Sequence, residues 1–187
     1  MGIYVLAAIV IIVVLGAALT YNRLVRLRNM VKEGWSGIDV QLKRRAALIP
    51  NLVETVKGYV GHERNLLSEI ANLRSRSLQT QGVGEKGEIE TALSKSLGSL
   101  MAVAEGYPDL KANQNFLEFQ KELTEIEGQI QTARRYYNGT VRNLNIAVES
   151  FPSNVVAKLF PFVQAEFFAI DDANDRREPQ VSFRSQG

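Results

Sequence analysis

Apolar residues fall into one uninterrupted block and four periodic stretches. The block is Ile3 to Tyr21, 19 residues without a charge. As a helix it would be about 28 Å long at ~1.5 Å per residue, enough to cross a hydrocarbon core of roughly 30 Å. From Leu24 the apolar positions are Leu27, Val31, Trp35, Ile38, Leu42, Ala46, Ile49, Val53, Val56 and Val60, always three or four residues apart. That is the period of an amphipathic helix, and no turn-forming cluster separates it from the apolar block. The pattern predicts one helix leaving the membrane and continuing as the first helix of a bundle. Its mean step, 22 residues over six intervals, is nearer an 11-residue repeat than a left-handed heptad. Pro50 predicts a kink or break, because proline removes an i to i−4 bond and crowds the preceding turn.

The second stretch carries Leu66, Leu67, Ile70 and Leu73 to about Gln79, and the glycine-rich Gly82 to Gly87 reads as a connector. A third helix is expected from about Glu88 through Ile89, Leu93, Leu97, Leu100 and Ala104 to the Gly106-Tyr107-Pro108 stop. The fourth runs from near Leu110 through Phe116, Phe119, Leu123, Ile126, Ile130, Ala133, Tyr137, Val141, Leu144 and Val148 to Phe151, just before Pro152. Asp109 or Asn113 can cap it, and Ser153 is the expected N-cap of a short helix to Leu159. No alternating strand pattern occurs. The fold class is therefore all-α: a transmembrane helix continuous with a long antiparallel bundle of three to four long helices. The expected division is an anchor over 1–22, the bundle over 23–168 and a polar, disordered tail over 169–187.

Composition supports this division. All 42 charged residues (22 basic, 20 acidic) lie beyond the apolar block, which leaves a bundle of ordinary soluble character. The net charge of +2 is too small to suggest a nucleic-acid partner, and none is expected. A cleaved signal peptide fits poorly, since no Lys or Arg precedes the block and it exceeds the usual apolar core of roughly 7–15 residues. Arg23, Arg26, Arg28 and Lys32 follow the block, opposed by Glu33 alone. The positive-inside rule then puts the N-terminus outside and the bundle in the cytoplasm, with these four cations at lipid headgroups.

Catalytic chemistry finds little support. The chain has no cysteine and one histidine, which removes thiolate nucleophiles, cysteine-type zinc sites and the paired Glu-x-x-His signature of di-metal bundles. His62 has Tyr59, not an acid, three residues before it. Gly82 to Gly87 satisfies G-x-G-x-x-G literally, but a dinucleotide loop needs a buried strand before it. Glu118, Glu122 and Glu125 share a face that the apolar stripe leaves to solvent. Lys43-Arg44-Arg45 and Arg134-Arg135-Tyr136-Tyr137 sit within periodic helices and read as cations flanking buried positions. Asn138-Gly139-Thr140 is a glycosylation sequon in form only, since it lies inside a helix. No cofactor or metal is expected.

Four strings in order, RRAALIPNLVETVKGYVGHE (Arg44 to Glu63), AEGYPDLKANQNF (Ala104 to Phe116), ARRYYNGTVRNLN (Ala133 to Asn145) and FPSNVVA (Phe151 to Ala157), resemble the LemA family of bacterial membrane proteins. The resemblance extends from the apolar block to about Phe168. It implies an N-terminal anchor, a bundle of long helices, a bacterial inner-membrane location and no established enzymatic activity, with no catalytic residues to carry over. The expected function is a membrane-tethered scaffold that offers helix surfaces to a protein partner or to its own copies. A stripe of Leu27, Val31 and Trp35 lacking a partner within the chain would be the self-association surface of a homo-oligomer. The alternative is a membrane-organising protein that contacts the lipid bilayer through its basic juxtamembrane segment and Phe160, Phe162, Phe167 and Phe168.

Overall fold

The computed structural model describes residues 1–60 and 63–169. These form six helices in the order α1 (Gly2–Lys57), α2 (Arg64–Gln79), α3 (Val83–Ala104), α4 (Pro108–Lys111), α5 (Gln114–Glu149) and α6 (Ser153–Leu159). No strand occurs among the described residues. The expected tail from 170 onward and His62 lie outside them.

Helix α1 is 56 residues long, about 84 Å at ~1.5 Å per residue. Its first turns, up to Gly16, stand clear of the rest of the chain, and Ile3, Leu6, Ile12 and Leu15 are all exposed. From Leu24 onward one face enters the core, and every apolar position of the predicted stripe is buried or half-buried. The expected break at Pro50 does not occur, and the helix runs on to Lys57. Pro50 cannot donate to the Ala46 carbonyl one turn back. That carbonyl instead accepts from Arg74 Nε of α2 at 2.6 Å. A guanidinium from the neighbouring helix supplies the donor that proline lacks, and Pro50 itself faces outward. The helix gives way instead to a turn at Gly58 and Tyr59.

Helix α5 returns antiparallel along α1. Gly34 permits their close approach, since a Cβ there would lie 3.1 Å from Tyr137 Cα. The α2–α3 hairpin covers the far half of α1. Ile49, Leu52, Val56, Leu67, Ile70, Leu73, Ile89, Leu93, Leu97 and Leu100 form that distal core, closed by Leu110 of α4 and Phe116 of α5. Pro108 opens α4 at its first turn. Asn113 is the side chain that caps α5, accepting from Phe116 N at 3.1 Å.

Two boundaries differ from the sequence reading. The connector before α3 is shorter than Gly82 to Gly87, because Gly82 is the N-cap and Gly84 and Gly87 lie within the helix. Helix α6 has the expected span, but its cap position is Pro152, and the Ser153 hydroxyl donates back to the Ser150 carbonyl. Phe151, expected on the buried stripe of α5, points away from the core and is 82% exposed.

Beyond α6, residues 162–169 form an extended strap that runs back along α5 toward the start of α3. An extended segment alone leaves its backbone groups without partners. Two asparagines of α5 supply them. Asn145 donates to the Ala165 carbonyl at 3.0 Å and accepts from its N–H at 2.8 Å. Asn138 does the same for Phe168 at 3.1 and 3.0 Å. Between them the Tyr137 hydroxyl donates to the Glu166 carbonyl at 2.8 Å. Burial, and next the Glu166 carboxylate, raise the Tyr137 pKa above its ordinary value, so the phenol keeps that proton. The strap ends against Gly87, where a Cβ would sit 2.5 Å from the Ala169 carbonyl oxygen. Glycine at this position is what lets the strap lie on α3.

Candidate functional site

Three surfaces can carry function: the face beside the apolar run, a groove over a buried charge cluster, and the exposed helix faces.

Beside the apolar run the structure packs other parts of the chain on the stripe expected to promote self-association. Leu27 packs against the cluster of Leu24, Ala147, Val156, Ala157 and Phe162. Val31 and Trp35 pack against Ile38, Tyr137 and Phe168. The Trp35 ring lies 5.6 Å from Tyr137 and 5.5 Å from Phe168, with Lys86 Nζ 5.9 Å from its centroid. Leu27, Val31 and Trp35 are thus half-buried within one chain, because the strap and α6 occupy the space that a neighbouring protomer would have filled. The four aromatics assigned to lipid divide likewise. Phe162 and Phe168 belong to the core, while Phe160 and Phe167 remain exposed.

The headgroup candidates Arg23, Arg26, Arg28 and Lys32 are all exposed. Arg28 lies over the Phe162 ring, 5.1 Å from its centroid. Two turns beyond Lys32, Asp39 bridges two cations, Lys43 Nζ at 2.6 Å and Lys86 Nζ at 2.9 Å. Burial by itself would raise the Asp39 pKa. The two ammonium groups outweigh it and hold the carboxyl below its ordinary value.

Sequence reasoning missed the charge cluster in the bundle interior. Arg45, read as part of a basic surface run, is 1% exposed. It forms an ion pair with the equally buried Glu90 of α3. Its Nη1 donates to Glu127 of α5 at 2.8 Å and to Ser94 at 2.7 Å, and Ser77 donates to Glu90. One guanidinium therefore ties α1 to α3 and α5, with α2 joining through Ser77. Its net contribution to stability is small for so many contacts, since desolvating the ions offsets much of their attraction. A residue spacing cannot announce this arrangement. Arg45 lies one step off the apolar stripe, and only the fit of four helices turns it inward. Above Arg45 a groove of about 760 Å³ opens between α3 and α5, lined among others by Leu97, Gly98, Met101, Leu123, Thr124 and Gly128. Among the described residues no three His, Cys, Asp or Glu side chains converge as metal ligands. The Glu118, Glu122 and Glu125 face is exposed, as its pattern suggests.

Residues 34–183 match the model of the LemA family. The match starts inside α1 and continues past Phe168, where the sequence resemblance was read as ending, into the segment read as a tail. The chain is 30% identical over 149 residues to Protein LemA of Metamycoplasma hominis, covering 79% of this chain and 68% of that protein. It is 26% identical over 184 residues to Magnetosome protein MamQ 2 of Paramagnetospirillum magneticum. Identity is 23% over 181 residues to Magnetosome protein MamQ of Magnetospirillum gryphiswaldense. Each of the last two alignments covers 83% of this chain and 66% of the relative, so the chain spans about two thirds of the length of these proteins. With an all-α bundle on one long N-terminal helix and a family match over most of its length, the chain belongs to the LemA family.

Proposed function

We propose that this protein is a non-catalytic, membrane-anchored scaffold. Its apolar N-terminal segment crosses the bacterial inner membrane once, with the N-terminus outside, and the cytoplasmic bundle offers helix surfaces to a protein partner or to further copies of itself. The observation that carries this reading is the continuity of α1. The same helix is bare and apolar over its first turns and forms the spine of the bundle core from Leu24 onward. A bundle built on such a spine is held at a fixed attitude to its anchor, which suits a device that positions other molecules. The exposed cations Arg23, Arg26, Arg28 and Lys32 follow the apolar segment directly and support the cytoplasmic placement.

The most buried ionisable groups, Arg45 and Glu90, are used in joining helices. That favours an architectural role over a reactive one. Relatives of similar likeness bear names with and without the word magnetosome, which supports an architecture not tied to one process. With Leu27, Val31 and Trp35 covered, the surfaces left for partners are the groove between α3 and α5 and the outer faces of those helices.

Cross-linking of the full-length protein in its native membrane, read by mass spectrometry, tests the proposal. The expected result is links from α3 or α5 to another protein or to the same residues of a second copy. Links confined to one chain under conditions that trap other membrane assemblies would contradict it.

A further inference from the structure

Helix α6 and its flanking turns, residues 151–163, sit beside the point where α1 leaves its apolar segment. Their inner face is accounted for, since Val156, Ala157 and Phe162 pack with Leu24 of α1 and Ala147 of α5. The outer face carries the exposed Lys158 among large apolar side chains that nothing in the chain covers. Phe151 is 82% exposed, Val155 51%, Leu159 72%, Phe160 51% and Val163 75%. Helix α6 has seven residues, and apolar side chains line both of its sides. Ser153, Asn154 and Lys158 are its polar residues, yet a contiguous group of exposed large apolar side chains of this kind marks a contact surface for a second apolar medium.

The position of this face identifies that medium. Phe160 and Phe162 hold Tyr21, the last residue of the apolar run, in edge contacts at 4.9 and 5.7 Å. Ala17, one turn further into the run, packs on the same cluster that buries Val156 and Ala157. Ala17 is too far along the helix from Leu24 to owe this contact to Leu24, roughly 10 Å at ~1.5 Å per residue. The partners are therefore the residues of α5, α6 and the turn after it. If Tyr21 marks the interface, Ala17 lies about 6 Å below it, within the roughly 5–10 Å to which interfacial helices bury their apolar faces. The nearby cations Arg23, Arg26 and Lys158 are exposed and suit anionic headgroups.

We propose that residues 151–163 form a second membrane contact, with Phe151, Val155, Leu159, Phe160 and Val163 inserted at the boundary of headgroups and acyl chains next to the anchor. The contact rests on the reading of Gly2 to Tyr21 as a membrane span. It extends that reading by giving the bundle two attachment points and hence a defined tilt. The C-terminal part of α5 and the start of the strap are thereby held at the lipid surface.

The chain lacks cysteine, so single introduced cysteines give unique spin labels. Full-length Val10→Cys, Val155→Cys, Leu159→Cys, Val163→Cys and Lys121→Cys would be labelled in vesicles of phosphatidylethanolamine and phosphatidylglycerol. Each is read by accessibility to oxygen, which enriches in lipid, and to a water-soluble nickel chelate. The expected result is a deep label at 10, interfacial labels at 155, 159 and 163 with nickel access lost and oxygen access gained, and an aqueous label at 121. Aqueous labels at 155, 159 and 163 with a deep label at 10 would overturn the second contact and leave the anchor standing. An aqueous label at 10 would overturn both. Labels at 159 and 163 shielded from both reagents, with spin–spin broadening that disappears on dilution with unlabelled protein, would show that a second copy covers this face. That outcome too would overturn the lipid assignment.

Discussion

The two ends of the bundle are closed by different means. At the distal end α1, α2 and α3 meet over aliphatic side chains such as Leu52, Ile70, Leu93 and Leu100, all nearly or fully inaccessible. Toward the apolar run the described residues include no third long helix. The groove between α1 and α5 is filled by the strap, whose backbone depends on Asn138, Asn145 and Tyr137 and whose Phe168 completes the core. Helices satisfy their own backbones, so the distal end needs little beyond apolar side chains at the right period. An extended segment does not, so the proximal end needs particular polar side chains at particular positions.

The largest test of this contrast removes one plug from each end. Phe168→Ala should cost about 3–5 kcal/mol and Leu93→Ala about 2–5 kcal/mol, as for other core truncations. Trp35 is the single tryptophan and touches Phe168. Its emission in the folded state should therefore shift to the red in Phe168→Ala and stay unchanged in Leu93→Ala. Denaturant titration followed by both fluorescence and circular dichroism reads the two effects. Unshifted emission in Phe168→Ala would mean that the strap is not part of the proximal core.

A smaller effect is expected at the junction between the ends, where Pro50 leaves the Ala46 carbonyl to Arg74. Arg74→Ala should destabilise the bundle by about 1–3 kcal/mol, the cost of a buried acceptor left without a donor. In a Pro50→Ala background the residue 50 N–H can serve that carbonyl, so the same substitution should cost distinctly less. Equal costs in the two backgrounds would break the assignment, and a double-mutant cycle measures the difference directly.

These contrasts also explain what the sequence disclosed. The distal core could be read almost residue by residue, because Ile49, Val56 and Val60 and the positions Ile70, Leu93, Leu97 and Leu100 follow the helical period. The strap could not. Residues 162–169 have no period, and their partners Asn138 and Asn145 lie in a helix where asparagine resembles any exposed polar residue. One signal was available: two asparagines seven residues apart on one helix face, beside a buried tyrosine, are poor helix formers and call for another reason to be there. The same gap hid the partners of Leu27, Val31 and Trp35, which lie in α5, α6 and the strap. Pro50 was read correctly as a lost hydrogen bond, but a donor from 24 residues further along the chain cannot be inferred from local sequence.

The smallest expected effect is electrostatic and again proximal. Lys43 and Lys86 hold the Asp39 carboxyl below its ordinary value of 3.8, so its folded pKa is lower than its unfolded one. The stability it contributes is present above the unfolded value and is lost as pH falls through the folded one. Asp39→Asn should therefore lower stability near neutral pH slightly and reduce its loss below about pH 4. Parallel pH-dependent melts of the two proteins would show this as converging curves. Curves that stay a constant distance apart down to the most acidic pH would argue against the bridge.

The proposed scaffold requires α1 to be one rigid element from its apolar run through the bundle. Spin labels at Val10→Cys in the bare turns and Ala47→Cys on the exposed face of the bundle portion are 37 residues apart. In an unbroken helix that separation is about 55 Å at ~1.5 Å per residue. Pulsed dipolar spectroscopy on the full-length protein in lipid nanodiscs measures it. A single narrow distribution near that distance is the expected result. A broad distribution, or one centred well below it, would show a hinge between anchor and bundle and contradict the central claim.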